Sequence, residues 1–152
     1  MEESGGLMLM GEFNHTIDNK NRLIIPSKLR NELGNEAVIT RGLDKCLFIY
    51  SKKEWESIVS KLSNLPFTKK SVRDFNRFFL SSASTIVFDK MGRVSLSQSL
   101  LNYANLNKEC VIIGVNDRVE VWDKNEFDTF ISSNLDNFSD MAENLFEGGQ
   151  DA

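Results

Sequence analysis

The apolar residues of this chain fall into short runs, and the runs come in two sets. Phe13 to Ile17 reads as a strand entering a polar turn, Asp18–Asn21, and Leu23-Ile24-Ile25 returns from it as a second strand. Pro26 presets φ for a first helical turn, Leu29 and Leu33 supply the apolar face, and Gly34 ends the helix. Ala37–Thr40 and Cys46–Tyr50 are two further strands on either side of a Gly42-Leu43-Asp44-Lys45 turn. Ser51 with Glu54 has capping-box spacing and opens a helix with Trp55, Ile58, Val59 and Leu62 at i, i+3, i+4 and i+7. Pro66 breaks it. Thr68–Leu80 then reads as a linker helix, with Val72, Phe75, Phe78 and Phe79 turned inward and Lys69, Lys70, Arg73 and Arg77 outward.

The order then repeats. Thr85–Phe88 is a strand, Asp89–Gly92 a turn, and Val94-Ser95-Leu96 the return. Ser97 caps a short helix carrying Leu100 and Leu101. Cys110–Gly114 and Val119–Trp122 match the earlier pair of strands, around an Asn116-Asp117-Arg118 turn. Asp123 with Glu126 matches Ser51 with Glu54, and Phe127, Phe130 and Ile131 match Trp55, Ile58 and Val59. The offset stays at 71 to 73 residues throughout, which marks an internal duplication. The predicted class is α+β, a tandem repeat with pseudo-twofold symmetry and short flanking helices. The expected divisions are a disordered leader at 1–7, a first repeat with its helix at 8–65, and a linker helix at 66–82. A second repeat with its helix follows at 83–132, then an acidic tail at 133–152. Each half is too small for a large core of its own, so the two are expected to pack into one body and to present both turns on one surface.

Charge changes the picture once it is divided. The 152-residue chain carries a net charge of -4, which at first argues against nucleic acid. Yet residues 117–152 hold ten acids and two bases, which leaves 16 bases against 12 acids in residues 1–116. An acidic tail masks a locally basic front, and it is the local patch that meets phosphate. No apolar run approaches the roughly 20 residues of a membrane helix. Met8-Leu9-Met10 is too short for a signal-peptide core, so a cytoplasmic location is expected. Cys46 and Cys110 lack metal spacing and read as buried small hydrophobes.

Two stretches concentrate polar chemistry: Asp18-Asn19-Lys20-Asn21-Arg22 and Asp89-Lys90-Met91-Gly92-Arg93. An acid and an arginine four apart can face each other across a tight turn. The carboxylate can accept from backbone N–H groups or hold the guanidinium, and a held arginine is ready for phosphate or a guanine edge. The same pair also serves as a staple for its own turn, and the two roles can coexist. A catalytic reading of Asp18 and Asp89 as an acid/base pair is poor. Each acid brings its own arginine, which lowers its pKa, and His15 is the single histidine. No Gly-rich phosphate loop, nucleophile elbow or metal spacing is present, and neither enzyme nor cofactor is expected. Binding fits better, with Thr16, Lys20, Arg22 and Lys28 around the first turn and Lys90 and Arg93 at the second. Asp18 and Asp89 would orient the arginines. With so few bases per turn, affinity requires several turns acting together, hence a homo-oligomer on repeated double-stranded DNA sites.

The run Met8–Asp18 with Lys20 and Arg22, then Ile25-Pro26 and Leu29-Arg30, resembles the start of MraZ proteins. Asp89 with Gly92-Arg93, and Val111–Trp122, resemble the second half of that family. The likeness spans residues 8–130. It implies swapped-hairpin, AbrB-type β-barrel halves, ring-shaped homo-oligomers and a bacterial transcriptional regulator. Such a regulator binds promoter repeats of its own operon, in the division and cell-wall gene cluster, as a repressor located in the cytoplasm and nucleoid. Three departures stand out: Asn21 where the family has glycine, Met91 where a polar residue is common, and Ser97 where the first copy has Pro26. A second reading from another class remains: an assembly or protein-interaction module whose Asp–Arg turns only stabilise the barrel. The tail, with Phe138, Met141, Leu145 and Phe146 spaced as on a helix, either docks on a neighbouring subunit or stays mobile.

Overall fold

Each repeat runs strand, turn, strand, short helix, hairpin, helix. The structure, a computed structural model, describes residues 8–147; the expected leader and the last five residues of the tail lie outside them. The first repeat comprises β1 (Leu9–Thr16), β2 (Arg22–Ile24), α1 (Ser27–Leu33), β3 (Glu36–Arg41), β4 (Cys46–Ser51) and α2 (Lys52–Ser63). α3 (Lys70–Leu80) joins it to β5 (Ser84–Val87), β6 (Arg93–Ser95), α4 (Gln98–Tyr103), β7 (Glu109–Asn116), β8 (Val119–Asp123) and α5 (Lys124–Asn134). A 3-10 turn, Leu135–Asn137, leads into α6 (Phe138–Phe146).

The repeats exchange their first strands. β1 pairs with β7 of the second repeat and β5 with β3 of the first, so His15 opposite Cys110 is matched by Ile86 opposite Ala37. β4 and β8 join the halves, giving a six-stranded antiparallel sheet in the order β1-β7-β8-β4-β3-β5. β2 and β6 form a separate two-stranded ribbon. Both central pairings are self-matching under the repeat: Leu23 faces Val94, and Phe48 faces Glu120. The pseudo-twofold axis therefore passes through the ribbon and through the middle of the sheet. The strands described do not close into barrels. β2 and β6 are three residues long, and the chain turns into α1 and α4 directly after each, so no strand bridges the ribbon to the sheet edges at β1 and β5.

The sheet is covered on both faces, which explains why Cys46–Ser51 is buried at every position. Leu47, Ile49, Ile112, Val119 and Val121 pack towards the ribbon, α1 and α4, where they meet Leu23, Val94, Leu29 and Leu100. Phe48, Tyr50, Val111 and Trp122 pack on the other face with Phe79 and Phe127, against Trp55, Ile58 and Leu62 of α2. Cys46 and Cys110 are buried free thiols, and burial pushes both pKa values up to about 12, as expected of inert packing residues.

Several local expectations need correction. The linker helix starts at Lys70, and of its four apolar positions only Phe79 is fully buried; Phe75 and Phe78 stay exposed. α3 is held instead by its C-terminal end. The buried Thr40 hydroxyl donates to Phe79 O (2.6 Å) and pairs with Ser82 Oγ (2.8 Å), while Phe79 stacks on Trp55 at 5.5 Å. Ser51 Oγ caps α2 by accepting from Glu54 N. The matching Asp123 accepts from Asn125 N and Asn107 N, and Glu126 accepts from Asn105 Nδ2; among the described residues neither Glu54 nor Glu126 bonds back to the N–H of its cap, so each helix has a side-chain cap and neither has a full capping box. Phe127 is buried, but its companions Phe130 and Ile131 are exposed. Among the described residues no helix is long and apolar enough to cross a membrane.

Candidate nucleic-acid interface

The two Asp…Arg turns feed the two strands of the ribbon, and the ribbon decides which way their arginines point. In an antiparallel pair, residues directly opposite share a face, and faces alternate along each strand. Leu23 and Val94 face the sheet and are buried. Arg22 opposite Ser95 and Arg93 opposite Ile24 must then share the outer face. Strand geometry sets these diagonal arginines about 7–8 Å apart. Ile25 N donates to Gly92 O and Leu96 N to Asn21 O, closing the ribbon symmetrically at both ends.

Each turn is wound round its acid. Asp18 Oδ1 accepts from the backbone N–H of Lys20 and of Arg22, both at 2.9 Å, and Oδ2 accepts from Arg22 Nε at 2.8 Å. Asp89 does the same with Met91 N, Arg93 N and Arg93 Nε at 2.9, 2.9 and 2.8 Å. The backbone closes alike: Asn21 N donates to Asp18 O, and Gly92 N to Asp89 O. The staple and the orienting role are thus performed by the same carboxylate. Nε is committed to the acid in both arginines, and among the described residues neither Nη nitrogen of Arg22 or Arg93 has a hydrogen-bond partner. A guanidinium fixed through Nε with its fork left open is ready to bind an oxyanion or a guanine edge.

The electrostatics follow from this geometry. The N–H of Arg22 is the main cause holding the Asp18 carboxyl below the usual range, aided by Lys20 N–H and the guanidinium. Arg93 N–H does the same for Asp89. Both acids stay ionised at neutral pH, so neither is poised as a proton donor. A folded-state pKa below the unfolded value stabilises the fold above the unfolded pKa, and that stabilisation is lost as pH falls through the folded value. Urea midpoints between pH 7 and pH 3 should therefore fall for the wild type below about pH 4. Asp18→Asn with Asp89→Asn should lower the midpoint at pH 7 and flatten the acid limb. Parallel profiles for the two proteins would show that the turns carry no acid-sensitive stability.

The left-handed residues of the two turns occupy one matched position: Asn21 at φ 59° and Gly92 at φ 78°. Asparagine tolerates that conformation, so the first turn keeps its shape without glycine. In the second turn the glycine also has an arginine side chain close against it. A Cβ on Gly92 would fall 2.5 to 2.8 Å from the guanidinium of Arg30, whose Nε donates to Ile25 O at 2.7 Å. Arg30, on α1 of the first repeat, thus lies against the second repeat's turn. It was not among the sequence candidates. Its matched residue is Leu101, and that break in the repeat was the available signal.

Of the candidate contacts, Lys20 is exposed in the first turn and Lys90 in the second, flanking the ribbon arginines. Thr16 lies at the end of β1 opposite Glu109, in a shallow depression shared with His15, Lys108 and Lys124. Lys28 is exposed on α1. No hydrogen bond ties Thr16 or Lys28 to the two turns among the described residues. No group of three or more His, Cys, Asp or Glu among the described residues is arranged to hold a metal ion.

The duplication is also what the family comparison detects. A family model described as "MraZ protein, putative antitoxin-like" matches twice in tandem, over residues 8–78 and 79–148, each match holding one Asp…Arg turn. The chain belongs to the MraZ family.

Proposed function

We propose that this protein is a sequence-specific DNA-binding transcriptional regulator, a repressor of its own operon in the bacterial division and cell-wall gene cluster. It acts as a ring-shaped homo-oligomer on repeated promoter sites, in the cytoplasm and on the nucleoid, without cofactor or catalysis. The observation that carries this reading is the ribbon's outer face. Two arginines related by the pseudo-twofold axis, each pinned through Nε with its Nη atoms open, point the same way, with Lys20 and Lys90 beside them. The exchange of first strands between repeats supports treating them as swapped-hairpin, AbrB-type units. In this reading Arg22 is the principal reader and Lys20, Lys90, Arg93, Thr16 and Lys28 make phosphate contacts.

The assembly-module reading retains one supporting observation, since each carboxylate also closes its own turn. Fluorescence anisotropy separates the two. Wild type and Arg22→Ala are titrated with DNA from upstream of the protein's own gene and with a scrambled duplex, at two salt concentrations. The regulator reading expects preference for the upstream DNA, steep salt dependence, and loss of preference in Arg22→Ala while the oligomer persists. Equal weak binding of both duplexes by wild type would hand the case to the assembly module.

A further inference from the structure

α1 of the first repeat lies beside the turn of the second. The guanidinium of Arg30 fills the space left open where Gly92 has no side chain. Under the repeat, the counterpart of Gly92 is Asn21 and that of Arg30 is Leu101. One turn therefore has asparagine and a leucine in its helix, the other glycine and an arginine. α4, Gln98–Tyr103, carries no base at any position, so α4 gives the first turn no cation to match Arg30.

Filling space does not call for a guanidinium, since the counterpart Leu101 is an uncharged, buried side chain. The bonding of Arg30 points elsewhere. A long side chain on a helix leans towards the helix N-terminus. Arg30 follows that lean, and its Nε donates to Ile25 O, just ahead of α1, at 2.7 Å. A guanidinium has several donors to place. Among the described residues this is the one hydrogen bond Arg30 makes, and no acid pairs with it. Asp89 lines the same surface groove, with Asn31 and Asn35, but both its oxygens are bonded within the second turn, to Met91 N, Arg93 N and Arg93 Nε. Arg30 is also half-exposed, as Arg22 and Arg93 are. It shares their arrangement: Nε is held by the protein, and neither Nη nitrogen has a protein partner among the described residues.

We propose that Arg30 binds a phosphate of the DNA backbone at the second turn. This rests on the DNA-binding function proposed above and assigns that interface a further residue. Arg93 follows Gly92 directly, so guanidiniums from both repeats meet at this turn, with Lys90 in the turn itself. The first turn has Lys20 and Arg22 alone. Phosphate contacts fix register and orientation without carrying sequence information. An extra contact at one end of the ribbon gives a nearly symmetric protomer a preferred direction along the duplex, with the second turn holding the backbone and Arg22 left to read.

The test is the salt dependence of binding by full-length Arg30→Gln and Arg30→Lys, with Arg22 and Arg93 intact, on the upstream and the scrambled duplex. Circular dichroism checks folding, and Arg30→Leu, the residue of the matched position, replaces Arg30→Gln should that variant not fold. Arg30→Gln should weaken binding to both duplexes by the same factor and reduce the log–log salt slope by roughly 0.9, one phosphate contact. Arg30→Lys should restore the slope, because an ammonium keeps the charge. Added to Arg93→Ala, Arg30→Gln should remove a further step of the same size. A folded Arg30→Gln with the wild-type slope would make Arg30 a packing residue and overturn the proposal. No further loss on the Arg93→Ala background would overturn it too, since Arg30 would then act only through Arg93. A wild type that prefers neither duplex counts against the regulator reading alone, because the slope is read equally well on the scrambled duplex. A wild type that binds no DNA overturns both.

Discussion

Leu23→Ala is expected to destabilise the protein by about 2–5 kcal/mol, the range for emptying a fully buried leucine site. Leu23 has no exposed surface and sits opposite Val94 at the centre of the ribbon, on the side that meets the sheet. Few neighbours can collapse into the gap. β2 is only three residues long, and bonds at both ends of the ribbon fix its register. A domain of ordinary stability, about 5–15 kcal/mol, would lose a large share. The urea midpoint should drop with the slope unchanged. Leu43→Ala, in an exposed turn, should stay within about 0.5 kcal/mol and serves as the control. A Leu23→Ala effect below about 1 kcal/mol would mean that the ribbon is not anchored through this pair, and that the arginines' direction has another origin.

The predicted loss depends on a contact that spacing along the chain reveals only in part. The short stretches Leu23-Ile24-Ile25 and Val94-Ser95-Leu96 announced two strands, and the repeat announced that they were equivalent. That they pair with each other across the pseudo-twofold axis is a long-range fact. So is the exchange of β1 and β5 between repeats. In contrast, the duplication was legible because every element of the first repeat has a partner of the same periodicity in the second. Cys46–Tyr50 was legible as a strand, and its continuous apolar run fits the burial on both faces that a strand between two layers has.

The misses have specific causes. Helical spacing grouped Val72, Phe75, Phe78 and Phe79 on one face, but α3 reaches the body through its last turn, where Thr40 and Ser82 hold it, and the rest stays half out. A capping box needs the N–H of the cap to be free for the N3 side chain; Ser51 and Asp123 are also the last residues of β4 and β8, paired with Ala37 and Cys110, so capping-box spacing marked the helix starts without the reciprocal bond. In the two turns, the pairing of Asp18 with Arg22 and of Asp89 with Arg93 was readable from the repeated DxxxR spacing. The place of Arg30 was not, because it lies against a turn of the other repeat, and only the loss of symmetry with Leu101 hints at it.

On the proposed DNA-binding function, replacing both ribbon arginines should have the largest effect on binding, and the pattern of the single variants carries the information. Arg22→Ala is expected to weaken binding to the preferred site about tenfold to a hundredfold, the range of one lost bidentate contact to guanine. Arg93→Ala should cost less. Its turn offers Met91 where the first offers Lys20, and the guanidinium of Arg30 already lies against Gly92. The double variant should retain only weak binding without preference between duplexes. The log–log salt slope should shrink by roughly 0.9 for each phosphate contact removed. Arg22→Lys then separates charge from shape. An ammonium keeps the phosphate attraction but not the planar fork held by Asp18 Oδ2, so the salt slope should survive and the preference should not. If Arg22→Lys keeps full preference, the arginine serves only as a positive charge, and the sequence is read elsewhere on the ribbon or through the shape of the DNA.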